Sequence, residues 1–255
     1  MQVIDVLHPV IFYNPPHLAI IGVLWSAAVI LAIFLSKKYG YTKKVIWACL
    51  IITLLCELEK IIFFIEDTGN GFRFPAEILP FNLCTIQIFF IIALVFSTCQ
   101  KKDTVLISFM FPALISGAFV GMVIPSATFD YHGLLDIATY RYFIYHSMLI
   151  FLGLYLYLSK PILFSIKSLG YAFLIILLIM IFGVWINAFF GWDPRTNFCF
   201  LVRPPTEGLP LLNMNNGWLG YVGAQALICV LLFSLCYLPM LTKIIREKLN
   251  AGKAK

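Results

Sequence analysis

Charge is the scarcest property of this sequence: Asp, Glu, Lys and Arg make up only 12% of its 255 residues, about half the share of a soluble domain. That scarcity excludes a water-soluble fold. The sequence also has no CxxC or CxxxC pair, and five of its seven cysteines, Cys49, Cys56, Cys84, Cys229 and Cys236, fall inside apolar runs. Neither a disulfide framework nor a zinc site is expected, and no metal or cofactor is predicted. No small-residue cleavage site follows the first strongly apolar run. That run is long for a signal peptide and ends at Lys37 and Lys38, so it is expected to stay as a span. No internal repeat or low-complexity segment is visible. The twenty-four Phe, twelve Tyr and five Trp lie within apolar runs or at their ends, which argues against a nucleic-acid partner.

What is present is apolar length, with 62% of residues hydrophobic. Runs occur at 17–36, 45–66, 78–97, 104–125, 137–158, 168–190 and 217–241, each near the roughly 20 residues that cross a hydrocarbon layer. The predicted fold is all-α, a polytopic bundle of seven transmembrane helices forming one domain over residues 1–255. Lys and Arg outside the runs divide thirteen to three between the two sides, which predicts an external N-terminus and a cytoplasmic C-terminus. The net charge of +6 fits headgroup contact, so membrane phospholipids are the expected environment and a bacterial cell membrane the expected location. Pro194, Pro204, Pro205 and Pro210 in the longest connection argue against a further helix there. That connection suits an outer lid, and the basic tail from Lys243 suits a solvated helix end.

Ionisable residues inside spans cost about 2.5–3.5 kcal/mol at mid-helix, so they mark the first places to look for chemistry. In the second run, Glu57, Glu59 and Lys60 lie roughly 9–14 Å below the outer end. Glu57 and Lys60 share a face with Thr53 and are spaced to neutralise each other, whereas Glu59 points elsewhere and needs another partner. The third run places Cys84 roughly 9 Å down, near Asn82 and on one expected helical face with Gln87. The fifth run places His146 roughly 14 Å deep. There Tyr142 and His146 form one polar stripe, and Arg141 and Tyr145 form its neighbour. Asn187 and Gln225 fall in the outer parts of the sixth and seventh runs.

Together these residues predict an outward-facing polar cavity. A thiol and an imidazole sharing it make a nucleophile and a general base, and an amide or arginine can stabilise an oxyanion. Each group also has a structural role open to it: Cys84 as a small buried hydrophobe, His146 bonded to a helix neighbour, and Glu57 with Lys60 as a neutral pair.

Leu79-Pro80-Phe81-Asn82-Leu83-Cys84, His146 within an aromatic-rich helix, and Asn197-Phe198-Cys199-Phe200-Leu201-Val202-Arg203-Pro204 occur in one order along the chain. In these features the chain resembles the YwaF-like family of bacterial integral membrane proteins, over most of its length. That family looks related to the eukaryotic transmembrane protein 164 acyltransferases, which move a fatty acyl chain between phospholipids and depend on a membrane cysteine. The resemblance implies Cys84 as nucleophile and His146 as base. Family members often carry His two residues before the cysteine, where this chain has Asn82, which is left to orient or to stabilise an oxyanion. Two functions follow: a phospholipid acyltransferase with Cys-His chemistry, or a non-enzymatic transporter or ligand-binding bundle using the same polar residues.

Overall fold

The computed structural model describes residues 15–64, 66–67, 72–73, 75–123, 137–160, 162, 164–205 and 211–253. The first fourteen residues, the connection at 124–136 and Pro210 lie outside them, and with them lie the expected external N-terminus, the Pro125 end of the fourth run and part of the lid. Among the described residues seven α-helices form: α1 Pro15–Tyr39, α2 Lys43–Phe64, α3 Gln87–Phe96, α4 Gln100–Val123, α5 Ile137–Leu158, α6 Ile166–Phe189 and α7 Gly217–Lys253. Between α2 and α3, two two-residue strands, β1 Glu66–Asp67 and β2 Phe72–Arg73, make a small antiparallel pair, an addition to the all-helical expectation.

Among the described residues, four helices are long and apolar enough to cross a membrane, over His17–Tyr39, Gln100–Val123, Ile166–Phe189 and Gly217–Thr242. Their large outward side chains, such as Leu219 at 77% and Phe189 at 72% exposure, give the apolar surface of a multi-pass membrane protein. α2 is long enough but carries Glu57, Glu59 and Lys60 in its C-terminal half, and α5 is diluted by Arg141, His146 and several tyrosines. α3 has only ten residues, about 15 Å of helix.

The shortness of α3 corrects the expected span at 78–97. Ala76–Ile78 forms a 3-10 turn, and Leu79 to Ile86 is not α-helical. The cause is local: Pro80 removes a backbone donor and disfavours helix at Leu79, so the chain enters α3 late. Cys84 therefore sits in the turn before the helix, and its expected helical face with Gln87 does not exist.

α4 is the central post, packed against α3, α5, α6 and α7, while α1 lies along α5. Pro112 interrupts α4 and leaves the Ser108 carbonyl without its helical donor; Tyr237 on α7 supplies a hydroxyl to it at 2.9 Å. At the opposite end of the bundle from Glu57 and Arg141, Tyr155 Oη bonds Gly40 O at 2.7 Å and accepts from Thr42 N at 2.8 Å. Lys43 Nζ donates to Val95 O at 3.1 Å and to Ser97 O, which caps the end of α3 with a cation.

Candidate functional site

An unwound segment inside an apolar bundle must find partners for its backbone, and here side chains supply them. Ile86 N bonds Asn82 O at 2.8 Å, and Thr85 Oγ1 brackets Asn82 by accepting from its N–H and donating to its carbonyl, both at 3.2 Å. Ile88 N bonds Thr85 O, which leaves the Cys84 carbonyl to Tyr145 Oη on α5 at 3.0 Å. Gln87 Nε2 donates to Leu83 O at 3.3 Å. Both carbonyls freed by the break are thus capped by side chains.

The Cys84 thiol lies against α4. A Cβ built on Gly117 would stand 3.5 Å from Cys84 Sγ. One turn further, a Cβ on Gly121 would stand 3.0 Å from His146 Nε2 and 3.7 Å from Tyr142 Oη. The thiol and the imidazole therefore border consecutive positions on one face of the same helix, about 6 Å apart along it. His146 Nδ1 lies 2.9 Å from Tyr142 O. A carbonyl only accepts, so Nδ1 carries the hydrogen and Nε2, facing the glycine groove, holds the lone pair. Tyr142 Oη also donates to Gly121 O, which locks α5 onto α4 at this level.

Asn82 turns toward the connection between α6 and α7. Its Oδ1 accepts Cys199 N–H at 2.8 Å, which assigns the amide and leaves Nδ2 as its free donor among the described residues. Cys199 also donates its thiol to Phe81 O at 3.1 Å, and its carbonyl accepts Gln225 Nε2 from α7 at 2.6 Å. Three residues here have positive φ without being glycine: Asn197 at 26°, Cys199 at 53° and Phe200 at 54°. That conformation is held from outside. Asn187 on α6 takes Phe198 N–H at 2.9 Å and donates to Phe198 O at 2.9 Å, and it also donates to Gly183 O at 2.7 Å. Trp218 Nε1 bonds Leu201 O at 2.7 Å, and Tyr221 Oη donates to Phe200 O.

A second polar group lies between α2 and α5. Lys60 Nζ pairs with Glu57, which is nearly buried. The partner that Glu59 required is Arg141, with Nη1 2.9 Å from Oε2, and the Arg141 guanidinium lies 5.8 Å from the centre of the Phe64 ring.

The sequence-predicted residues thus fall into three adjoining arrangements. Cys84 and His146 gather along the glycine face of α4, with Gln87 bonded to the Leu83 carbonyl beside the thiol. Glu57, Lys60 and Arg141 join Glu59 between α2 and α5. Asn187 and Gln225 brace the strained connection that reaches Asn82. Sequence reasoning missed Tyr145 as the cap of Cys84, Gly117 and Gly121 as the floor, and Cys199 as the joint. The four-residue spacing of the two glycines was the available signal. No group of three or more potential metal ligands occurs among the described residues.

A family profile described as the TMEM164 family matches residues 12–237 of the chain. No curated protein and no solved structure matches it.

Proposed function

Since the chain belongs to the TMEM164 family, we propose that it is a membrane-embedded phospholipid acyltransferase with Cys84 as nucleophile and His146 as general base. The observation that carries this proposal is the placement of Cys84 Sγ and His146 Nε2 over neighbouring glycines of α4, with Nδ1 engaged by Tyr142 O. This supports a base whose proton-accepting nitrogen faces the groove that borders the thiol.

In the first half-reaction, the Cys84 proton passes to His146 Nε2 and the sulfur bonds the ester carbonyl carbon of a phospholipid. The ester C–O bond then breaks, the departing lyso-lipid oxygen takes the proton, and a thioester remains on Cys84. In the second, Nε2 accepts the proton of an acceptor hydroxyl, whose oxygen attacks the thioester carbonyl. The sulfur leaves and is reprotonated. The Asn82 Nδ2 donor is the group best suited to the oxyanion of both steps.

For topology we propose seven crossings, with α3 and the segment from Leu79 to Ile86 together making the third. The N-terminus is external and the C-terminus cytoplasmic, in a bacterial cell membrane. The thirteen-to-three division of basic residues supports this orientation.

The broken third helix also favours a second function, a non-enzymatic transporter or ligand-binding protein, because discontinuous helices commonly line substrate sites. One experiment separates the two. Purified, folded protein is incubated with acyl-labelled phospholipid, and a hydroxylamine-sensitive label is expected on the wild type and absent from Cys84→Ser. Absence of label on the wild type with every phospholipid tried overturns the enzyme.

A further inference from the structure

The acyl-transfer chemistry uses the Cys84 thiol and leaves a second thiol beside it unused. Cys199 Sγ donates to Phe81 O at 3.1 Å, and Cys199 N donates to Asn82 Oδ1 at 2.8 Å. The backbone N–H of Leu83 lies near the same sulfur, which is also within electrostatic reach of Cys84. Three successive residues, Phe81, Asn82 and Leu83, thus meet Cys199, and the next in the chain carries the other thiol. Both cysteines are free. A glycine faces each sulfur from a neighbouring helix, Gly117 of α4 at Cys84 and Gly183 of α6 at Cys199, where a built Cβ would stand 3.5 and 3.8 Å away.

Nothing in the joint made by Cys199 calls for a thiol. Its backbone N–H and carbonyl do the bracing, and a serine hydroxyl would serve Phe81 O as well. Its φ of 53° suits glycine or asparagine better than cysteine. What cysteine alone adds is redox chemistry with a second sulfur.

We propose that Cys84 and Cys199 form a reversible disulfide, a modification site at which a hydroperoxide oxidises the pair and closes the nucleophile. With hydrogen peroxide, the Cys84 sulfur attacks the O–O bond, keeps one oxygen as a sulfenic acid and releases the other as water. The Cys199 sulfur then displaces the remaining oxygen as a second water, and the S–S bond forms. The two thiols together lose two electrons and two protons, and the peroxide receives them. A dithiol returns both sulfurs to thiols by exchange and becomes a disulfide itself.

The division of roles follows exposure. Cys84 is partly open and Cys199 is 8% exposed, so the oxidant meets Cys84 first and Cys199 is kept for the second step. With the proposed orientation the pair lies on the outer side, where disulfides persist. The disulfide stands apart from the acyl-transfer proposal, and only its effect, removal of the Cys84 nucleophile, rests on it. Cys229 on α7 is also within electrostatic reach of Cys199 and is the competing partner.

Purified full-length protein is oxidised with hydrogen peroxide, its remaining thiols are blocked with N-ethylmaleimide, and it is digested without reductant for peptide mass spectrometry. In the wild type the Cys84 and Cys199 peptides are expected to be joined, and to separate after dithiothreitol. Cys229→Ser is expected to keep that link. Cys199→Ser retains a donor for Phe81 O, so it is expected to keep its thermal transition while Cys84 passes on to sulfinic acid, which dithiothreitol does not reverse. Acyl labelling lost on oxidation is expected to return with dithiothreitol in the wild type and to stay lost in Cys199→Ser.

Cys84 found free or as sulfinic acid in oxidised wild type, without the link, overturns the pair. A link from Cys199 to Cys229 in place of Cys84 overturns it too. Both readings come from the wild type, so they hold even where Cys199→Ser fails to fold. A link between Cys84 and Cys199 in protein that takes no acyl label upholds the disulfide while the transfer chemistry fails.

Discussion

The hydroxyl of Tyr145 donates to the carbonyl of Cys84 at 3.0 Å across 61 residues of sequence. Tyr145 is 4% exposed, so water does not replace it. Tyr145→Phe keeps the ring and removes only the donor. Its expected cost is about 1–3 kcal/mol, the price of one unsatisfied buried acceptor, read as a lowered thermal transition in detergent. Acyl labelling of Cys84 is expected to slow in the same variant. An unchanged transition and an unchanged labelling rate would show that the turn holds without this cap.

Gly117 and Gly121 give a paired prediction. An alanine methyl at Gly117 meets the Cys84 sulfur at 3.5 Å, an ordinary contact, whereas at Gly121 it meets the imidazole at 3.0 and 3.1 Å. Alanine also stabilises a helix interior by about 0.5–1 kcal/mol over glycine. Gly121→Ala is therefore expected to retain stability and lose most labelling of Cys84, and Gly117→Ala to retain much of both. Equal labelling in the two variants would argue against the role of His146 Nε2 at this wall.

Asn187 is 0% exposed and bonds both the N–H and the carbonyl of Phe198. Asn187→Ala releases two buried backbone groups at once, and a loss of about 2–4 kcal/mol is expected, seen by thermal or denaturant unfolding. The positive-φ residues that follow have no intrinsic reason to keep their conformation, so proteolysis between 197 and 205 is expected to accelerate. A variant as protease-resistant as wild type would contradict the brace.

Cys99 tests both acidity and sidedness. It precedes α4, where the backbone N–H groups of Lys102 and Lys101 near its sulfur favour the thiolate and lower its pKa below the ordinary thiol value. A lowered pKa means that thiolate is present at lower pH, so the rate of Cys99 alkylation, followed by peptide mass spectrometry, is expected to rise at a lower pH than in a Gln100-to-Asp103 peptide extended to include Cys99. With the proposed orientation, a membrane-impermeant maleimide modifies Cys99 in inside-out vesicles and leaves it unmodified in intact cells. The reverse pattern would invert the topology.

Helix positions were legible because apolar length is written directly in the chain: the fifth run at 137–158 coincides with α5. The requirement for a second partner at Glu59 was also legible, since a buried charge on its own face needs one, and Arg141 meets it. The break before α3 was not, because Leu79, Phe81 and Leu83 keep the run apolar whether or not it is helical. Pro80 was its only mark. Nor did Tyr145 differ in sequence from the tyrosines around it, since which phenol meets the Cys84 carbonyl depends on packing between segments far apart in the chain. Cys199 was obscured for a similar reason, its importance residing in its backbone groups, which every residue shares.

The segment from Leu79 to Ile86 draws its supports from Tyr145, Cys199 and, through Cys199, Gln225. All of these emerge from the ribosome after Cys84 does. Synthesis runs from the N-terminus, so the thiol is laid down before the side chains that brace its turn from α5, the last connection and α7. A nascent or truncated chain therefore carries the cysteine before it carries the side chains that position it.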